Sequence, residues 1–102
     1  MNVLTAGHKY QLPGFENPEN TQEIQFIEKS PIGDTTELET INDGTTNEEV
    51  LEMLIDRMKF LQGKFPCREN TIVITKLQES LMWLEKRTSD RKKRGVEGKQ
   101  IA

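Results

Sequence analysis

The sequence contains few of the residues that form disulfide bonds or bind metal ions. Its 102 residues include one cysteine, Cys67, and one histidine, His8, so an internal disulfide is excluded and no set of metal ligands is present. No apolar run approaches the ~20 residues that span a bilayer, and the N-terminal stretch is too short and too polar for a signal peptide. We therefore expect a cytoplasmic, reduced protein without a metal, a cofactor or a membrane segment.

Catalytic patterns are also scarce. His8 lies in a loop-like stretch without a nucleophile pattern, and Cys67 has no partner histidine in view, which makes a catalytic cysteine–histidine pair a weak interpretation. The glycines near the C-terminus follow a predicted helix, whereas a phosphate-binding loop precedes one. Acidic pairs such as Glu48 and Glu49 are explained as favourable charges at a helix start. We expect that the protein is not an enzyme.

The apolar content is small for a chain of this length. A third of the residues are apolar and 30% are charged, and a domain of this size buries roughly two-thirds of its unfolded surface. A small module that gains core by self-association fits this composition better than an enzyme with a deep pocket.

Residues 1–45 are predicted to form a region of strands and loops. Short stretches at 8–12, 23–29 and 37–41 have the composition or alternation of strands, and turn residues cluster at 30–34. We expect a small antiparallel sheet of two or three strands. Because two strands alone are marginal in water, such a sheet needs helical support.

Residues 46–98 are predicted to form an antiparallel helical hairpin, which makes the fold class α+β. Apolar residues at helical spacing predict a first helix over about 47–62. A second helix is predicted from just after the following proline to about residue 93, ending at Gly95. The short connection between the two makes them antiparallel neighbours, and residues 99–102 are expected to be a flexible tail.

The second predicted helix has a seam of the coiled-coil type that changes from apolar to polar along its length. Its positions step by three and four residues through Ile74, Leu77, Leu81, Leu84, Thr88 and Arg91. The first helix is too short to cover this seam. Apolar residues also lie off it, at Val73, Met82 and Trp83. The uncovered surface predicts contacts with other copies of the chain.

Charge is unevenly distributed along a chain whose formal net charge is −3. Twelve acids and one base lie between residues 15 and 56, whereas seven bases and two acids lie between residues 86 and 99. The basic segment is explained either as a solvated helix end that complements the helix dipole or as an anion site. The acidic half would repel a long polyanion such as DNA, which favours a small anionic ligand.

Two clusters carry residue types that recognise nucleotides. Near the hairpin turn, Phe60 offers a stacking ring, Asn70 a hydrogen-bonding amide and Arg68 a phosphate-binding guanidinium. The alternative is that Phe60 and Asn70 only support the turn and that Arg68 is solvated. Farther along the second helix, Arg87 and Arg91 share a face, and Thr88 follows the seam. Gathering these cations in a symmetric assembly is unfavourable unless an anion neutralises them.

Three stretches resemble a known phage domain: FPCREN at 65–70, ITKLQESLMWLEKRT at 74–88 and RGVEG at 94–98. They are similar to the hairpin domain shared by Thoeris anti-defence sponges and anti-CBASS sponges. The resemblance covers residues 47–98, and the possible strands before it are more similar to the sheet-bearing Thoeris branch. It implies sequestration, without hydrolysis, of the cyclic nucleotide second messengers of bacterial immunity. Cyclic ADP-ribose isomers are implied first, with cyclic di- and trinucleotides for relatives.

The resemblance also implies a homo-oligomer, from dimer to hexamer, with two types of pocket. The first lies near the hairpin start and takes Phe60 and Asn70, with Arg68 added by proximity. The second lies where helix ends converge and takes Arg87, Thr88, Arg91 and Gly95. Two alternatives stay open: a small nucleic-acid-binding or regulatory module that uses the basic C-terminal helix, and a structural oligomeriser without a ligand.

Overall fold

The computed structural model describes all residues, Met1–Ala102, and contains five strands followed by two helices. The elements are β1 (Asn2–Thr5), β2 (Lys9–Leu12), β3 (Gln22–Gln25), β4 (Glu28–Pro31), β5 (Leu38–Asn42), α1 (Asn47–Lys64) and α2 (Arg68–Lys93). The chain divides into two units, Met1–Thr46 together with Gly98–Ala102, and Asn47–Glu97. We call them the strand unit and the hairpin unit. The predicted α+β class, with small antiparallel sheets followed by a helical hairpin, is confirmed.

The strand unit contains two sheets where one was predicted. Strands β1, β2 and β3 form an antiparallel sheet in that order, and β4 pairs with β5 in a second antiparallel sheet. Strand β1 lies outside the stretches in which strands were predicted, since four residues are too few to show alternation. Across the first sheet Tyr10 lies opposite Val3 and Ile24, and its ring packs edge to face on Phe26, with centroids 5.8 Å apart.

A change of hydrogen-bonding partner separates the two sheets. The Phe26 amide donates to the carbonyl of His8 at 2.7 Å, whereas the next amide, Ile27, donates to the carbonyl of Thr45 at 2.9 Å. The strand predicted over 23–29 is therefore split between β3 and β4. Gly44 permits this arrangement, because an added Cβ would lie 2.7 Å from the backbone carbon of Phe26, closer than packed atoms allow.

The C-terminal residues of the strand unit pair with the segment between β4 and β5. Lys99 Nζ lies 3.4 Å from Glu37 Oε1, and the Gln100 amide donates to the Thr36 carbonyl at 3.0 Å.

The turn predicted at 30–34 begins later than expected, because β4 includes Pro31. The Thr35 hydroxyl closes this turn by donating to the Ile32 carbonyl at 2.6 Å.

The hairpin unit packs α1 against α2 along the predicted seam. In α2 the less exposed residues are Asn70, Ile74, Leu77, Leu81, Leu84, Thr88 and Arg91, which is the predicted pattern with one more turn before it. In α1 the most buried apolar side chain is Ile55, which is 9% exposed. Neither helix combines the length with the apolar composition that crossing a bilayer requires.

Large apolar side chains remain exposed on both helices. Met53 and Phe60 of α1 are 54% and 58% exposed, and Met82 and Trp83 of α2 are 53% and 56% exposed. At 1.5 Å per residue, α2 is about 39 Å long and α1 about 27 Å, so α1 leaves part of α2 uncovered. The contacts between copies that this surface suggests stay a prediction.

Candidate functional site

An open groove with a volume of about 730 Å³ lies in the hairpin unit, where α1 begins and α2 ends. One face of α2 forms part of the groove, because Glu85, Thr88 and Lys92 recur every three or four residues and therefore lie on the same side of the helix. The remaining lining residues are Glu48, Arg87, Ser89, Lys93 and Glu97. Two of the predicted ligand-binding residues, Arg87 and Thr88, thus lie together in one groove.

Charges of both signs line this groove. Three carboxylates line it, on Glu48, Glu85 and Glu97, and so do three cations, on Arg87, Lys92 and Lys93. The neighbouring Lys86 is not among the lining residues and forms an ion pair with Asp90 at 3.2 Å. A single copy therefore offers cations for a phosphate and carboxylates for hydrogen-bond donors, rather than a uniformly positive surface.

Arg91 is buried and is not part of the groove lining. Its side chain is 6% exposed, its Nη2 donates to the Val96 carbonyl at 2.8 Å, and its Nε lies 3.4 Å from Glu97 Oε2. The seam explains the burial, because Arg91 continues the line of Leu84 and Thr88. Arg87 precedes Thr88 by one residue and is exposed. Of the two predicted arginines, Arg87 is therefore exposed and Arg91 is buried.

Gly95 shapes the backbone that follows α2. Its φ of +73° is in the left-handed region, its amide donates to the Lys92 carbonyl at 3.1 Å, and the Val96 amide donates to the Arg91 carbonyl at 3.0 Å. These two bonds form a Schellman motif, in which glycine avoids the steric cost of a Cβ. The turn brings Glu97 back towards the helix end, where its carboxylate reaches Arg91.

A hydrogen-bonded turn joins the helices at the other end of the hairpin. The Cys67 amide donates to Gln62 Oε1 at 3.0 Å, and Gln62 Nε2 donates to the Thr71 hydroxyl at 2.9 Å. One side chain of α1 thus fixes the first turn of α2. Sequence reasoning missed Gln62, although a polar residue one helical turn after Met58, on the buried side of α1, is a signal for such a bond.

The residues predicted to bind a ligand near this turn do not lie on one face of the hairpin unit. The Phe60 ring is 58% exposed, and Lys64 Nζ lies 4.8 Å from its centroid. Phe60 follows the buried Ile55 by five residues, which is about 140° around the helix. Asn70 is half-buried on the seam side of α2, and Arg68 is exposed at its first residue. Within one chain, therefore, the Phe60 ring and the Asn70 amide lie apart.

Six groove residues were not predicted from the sequence to bind a ligand: Glu48, Glu85, Ser89, Lys92, Lys93 and Glu97. Lys92 and Lys93 were counted only within the basic segment, and Glu85 and Ser89 were not singled out. The helical repeat that links Glu85, Thr88 and Lys92 is the signal that would have found Glu85 and Lys92. No cluster of three or more histidine, cysteine, aspartate or glutamate side chains offers a metal site.

Fold and groove together define a small α+β module whose helical hairpin presents a mixed-charge groove at its open end. A family model described as the Acb2/Tad1 hairpin domain matches residues 19–89, well over half of the chain. The protein belongs to this family. The match begins before β3 and ends within α2, so that Arg87 and Thr88 lie inside it and Arg91 and Gly95 lie beyond it.

A curated relative supports the same assignment. Thoeris anti-defense 1 of Bacillus phage SBSphiJ7 is 54% identical to this chain over 56 residues. The aligned segment covers 54% of this chain and 39% of the relative. The chain thus matches about two-fifths of the length of that curated protein.

Proposed function

We propose that this protein is a phage anti-defence protein that sequesters cyclic nucleotide immune signals without cleaving them. Cyclic ADP-ribose isomers are the first candidates, and cyclic di- and trinucleotides the second. The protein would act in the cytoplasm of the infected bacterial host. Membership of the hairpin-domain family and the name of the Bacillus phage relative support the anti-defence role.

The groove at the end of α2 is the observation that carries the proposal. Arg87 and Thr88 line it together with Lys92 and Lys93, so a phosphodiester would meet a guanidinium, a hydroxyl and two ammonium groups. Arginine binds phosphate oxygens through paired charge-assisted hydrogen bonds. The groove carboxylates suit the N–H groups of nucleobases. A small ligand that carries both groups matches this lining better than a uniform polyanion.

Sequestration requires tight binding and more binding sites than signal molecules, and it requires no catalytic group. Free signal falls once tight sites outnumber the signal molecules, and nanomolar affinity corresponds to about 12 kcal/mol. Several charge-assisted hydrogen bonds and one or two stacked bases in a pre-organised pocket are of this order. We therefore propose no nucleophile, general base or metal in the mechanism.

The second proposed pocket uses the hairpin tip and needs more than one copy of the chain. The exposed Phe60 ring offers a stacking face, while Asn70 and Arg68 offer polar contacts. Because Phe60 and Asn70 lie apart within one chain, a pocket that uses both takes them from different copies. This geometry supports a homo-oligomer, from dimer to hexamer, as the binding form.

Calorimetric titration with a panel of cyclic nucleotides tests the proposal. We expect binding of at least one cyclic ADP-ribose isomer or cyclic oligonucleotide. Arg87→Ala should weaken cyclic oligonucleotide binding by about tenfold or more, because a hydrogen bond to a charged group contributes about 1.5–3 kcal/mol. Lys86→Ala is the matched control, since it removes the same charge from the adjacent residue outside the groove.

Two results of this titration would contradict the proposal. Failure of the whole panel to bind would remove the proposed ligand class. Equal losses in Arg87→Ala and Lys86→Ala would show that net charge, not the groove, is responsible. Salt-dependent retention of DNA in place of cyclic nucleotide binding would favour the nucleic-acid-binding alternative.

A further inference from the structure

Glu97 pairs with Arg91, the second arginine that the family resemblance assigns to the pocket at the end of α2. Its Oε2 lies 3.4 Å from Arg91 Nε, and the Arg91 side chain is 6% exposed whereas that of Glu97 is 40% exposed. Arg91 Nη2 is meanwhile directed to the Val96 carbonyl at 2.8 Å. A partly exposed carboxylate is therefore paired with an enclosed cation.

Glu97 also lines the groove itself, whereas Arg91 does not. Because Glu97 lines the groove and pairs with Arg91, an anion that binds Arg91 from the groove competes with the Glu97 carboxylate. Two anions close to one guanidinium repel each other, so a phosphate reaches Arg91 only if Glu97 moves aside. The hydrogen bond to the Val96 backbone is not part of this exchange.

Resting on the proposed function, we propose that Glu97 is a specificity-determining residue that must be displaced from Arg91 by the phosphate of an entering ligand. The displaced carboxylate needs a new partner. A nucleotide phosphodiester whose base carries N–H donors supplies one, because the base can donate to the carboxylate while the phosphate binds the arginine. A bare inorganic anion supplies none, and Glu97 therefore disfavours it.

The test compares Glu97→Gln with Glu85→Gln. Both substitutions remove one negative charge from the groove, but Glu85 belongs to the middle of α2 and has no ion pair with Arg91 in the structure. Inorganic pyrophosphate is titrated into ¹⁵N-labelled protein while the Arg91 Nε–H resonance is followed. That resonance is identified by its absence in Arg91→Lys.

We expect pyrophosphate to bind Glu97→Gln about fivefold more tightly than wild type, the size of one partly exposed ion pair. The Arg91 Nε–H resonance should shift on addition of pyrophosphate to this variant. Glu85→Gln should gain less than about twofold. Equal gains in the two variants would overturn the proposal, as would an Arg91 resonance that does not move in Glu97→Gln.

A parallel titration with a cyclic dinucleotide separates this proposal from the proposed function. If wild type and both variants fail to bind the cyclic dinucleotide, the proposed function fails at this groove. The pyrophosphate comparison still decides the role of Glu97 in that case. If wild type binds the cyclic dinucleotide while pyrophosphate shows no difference between the variants, the proposed function stands and the role of Glu97 is refuted.

Discussion

Arg91→Ala is expected to destabilise the hairpin unit by about 2–3 kcal/mol, although the residue it removes is charged. The guanidinium is almost fully enclosed and donates to the Val96 carbonyl at 2.8 Å, and loss of a hydrogen bond that involves a charged group costs about 1.5–3 kcal/mol. The ion pair with Glu97 is partly exposed and adds at most about 1 kcal/mol. Arg87→Ala removes the same charge from an exposed position of the same helix, and should change stability by less than about 0.5 kcal/mol.

Urea unfolding followed by far-ultraviolet circular dichroism measures this difference. All variants are compared at one protein concentration, because association would make the apparent stability depend on concentration. Similar free energies of unfolding for wild type and Arg91→Ala would refute the structural role of Arg91. So would equal losses in Arg91→Ala and Arg87→Ala, since the explanation would then be charge rather than burial.

Three further predictions concern the helix ends, the aromatic ring and the assembly. Gly95→Ala should lower the free energy of unfolding by about 1–2 kcal/mol; the cost comes from the φ of +73° alone, because an added Cβ would meet no other atom. Gly63→Ala, where φ is not positive, should raise the free energy of unfolding by about 0.5 kcal/mol. Changes of the same sign in the two variants, measured by urea unfolding, would contradict this explanation. Phe60→Ala should weaken cyclic ADP-ribose binding by over ~1 kcal/mol with little change in stability, and a smaller calorimetric loss would count against stacking. Light scattering at micromolar concentration should detect a multimer, whereas a monomer would rule out pockets built from several copies.

The helices could be predicted because their signals are local. An apolar stripe at helical spacing, a proline before α2 and a glycine after it are all properties of neighbouring residues. The seam through Leu81, Leu84, Thr88 and Arg91 follows from the same spacing, and the half-buried residues of α2 confirm it.

The strands were harder to predict because their boundaries depend on distant partners. Nothing in the stretch from Glu23 to Lys29 marks the point where hydrogen bonding passes from His8 to Thr45. That exchange is a property of the folded backbone, and it divides one predicted strand into two. Strand β1 is likewise defined by pairing with β2 rather than by its own four residues.

The candidate site likewise has one part that could be predicted from the sequence and one part that could not. Arg87 and Thr88 could be placed on one helix end from their spacing, and both line the groove. The enclosure of Arg91 could not be predicted, because it depends on the turn at Gly95 that returns Val96 and Glu97 to the helix. Residue type identified the cation, but only the fold reveals which groups already surround it.

Recovery of the bound signal tests the central claim most directly. The protein is dialysed to equilibrium against a cyclic ADP-ribose isomer or cyclic dinucleotide that it binds in the titration, then denatured, and the released small molecules are quantified by mass spectrometry. We predict depletion of the free nucleotide and its full recovery with unchanged mass. Absence of depletion, or recovery of a cleaved product, would contradict sequestration without hydrolysis.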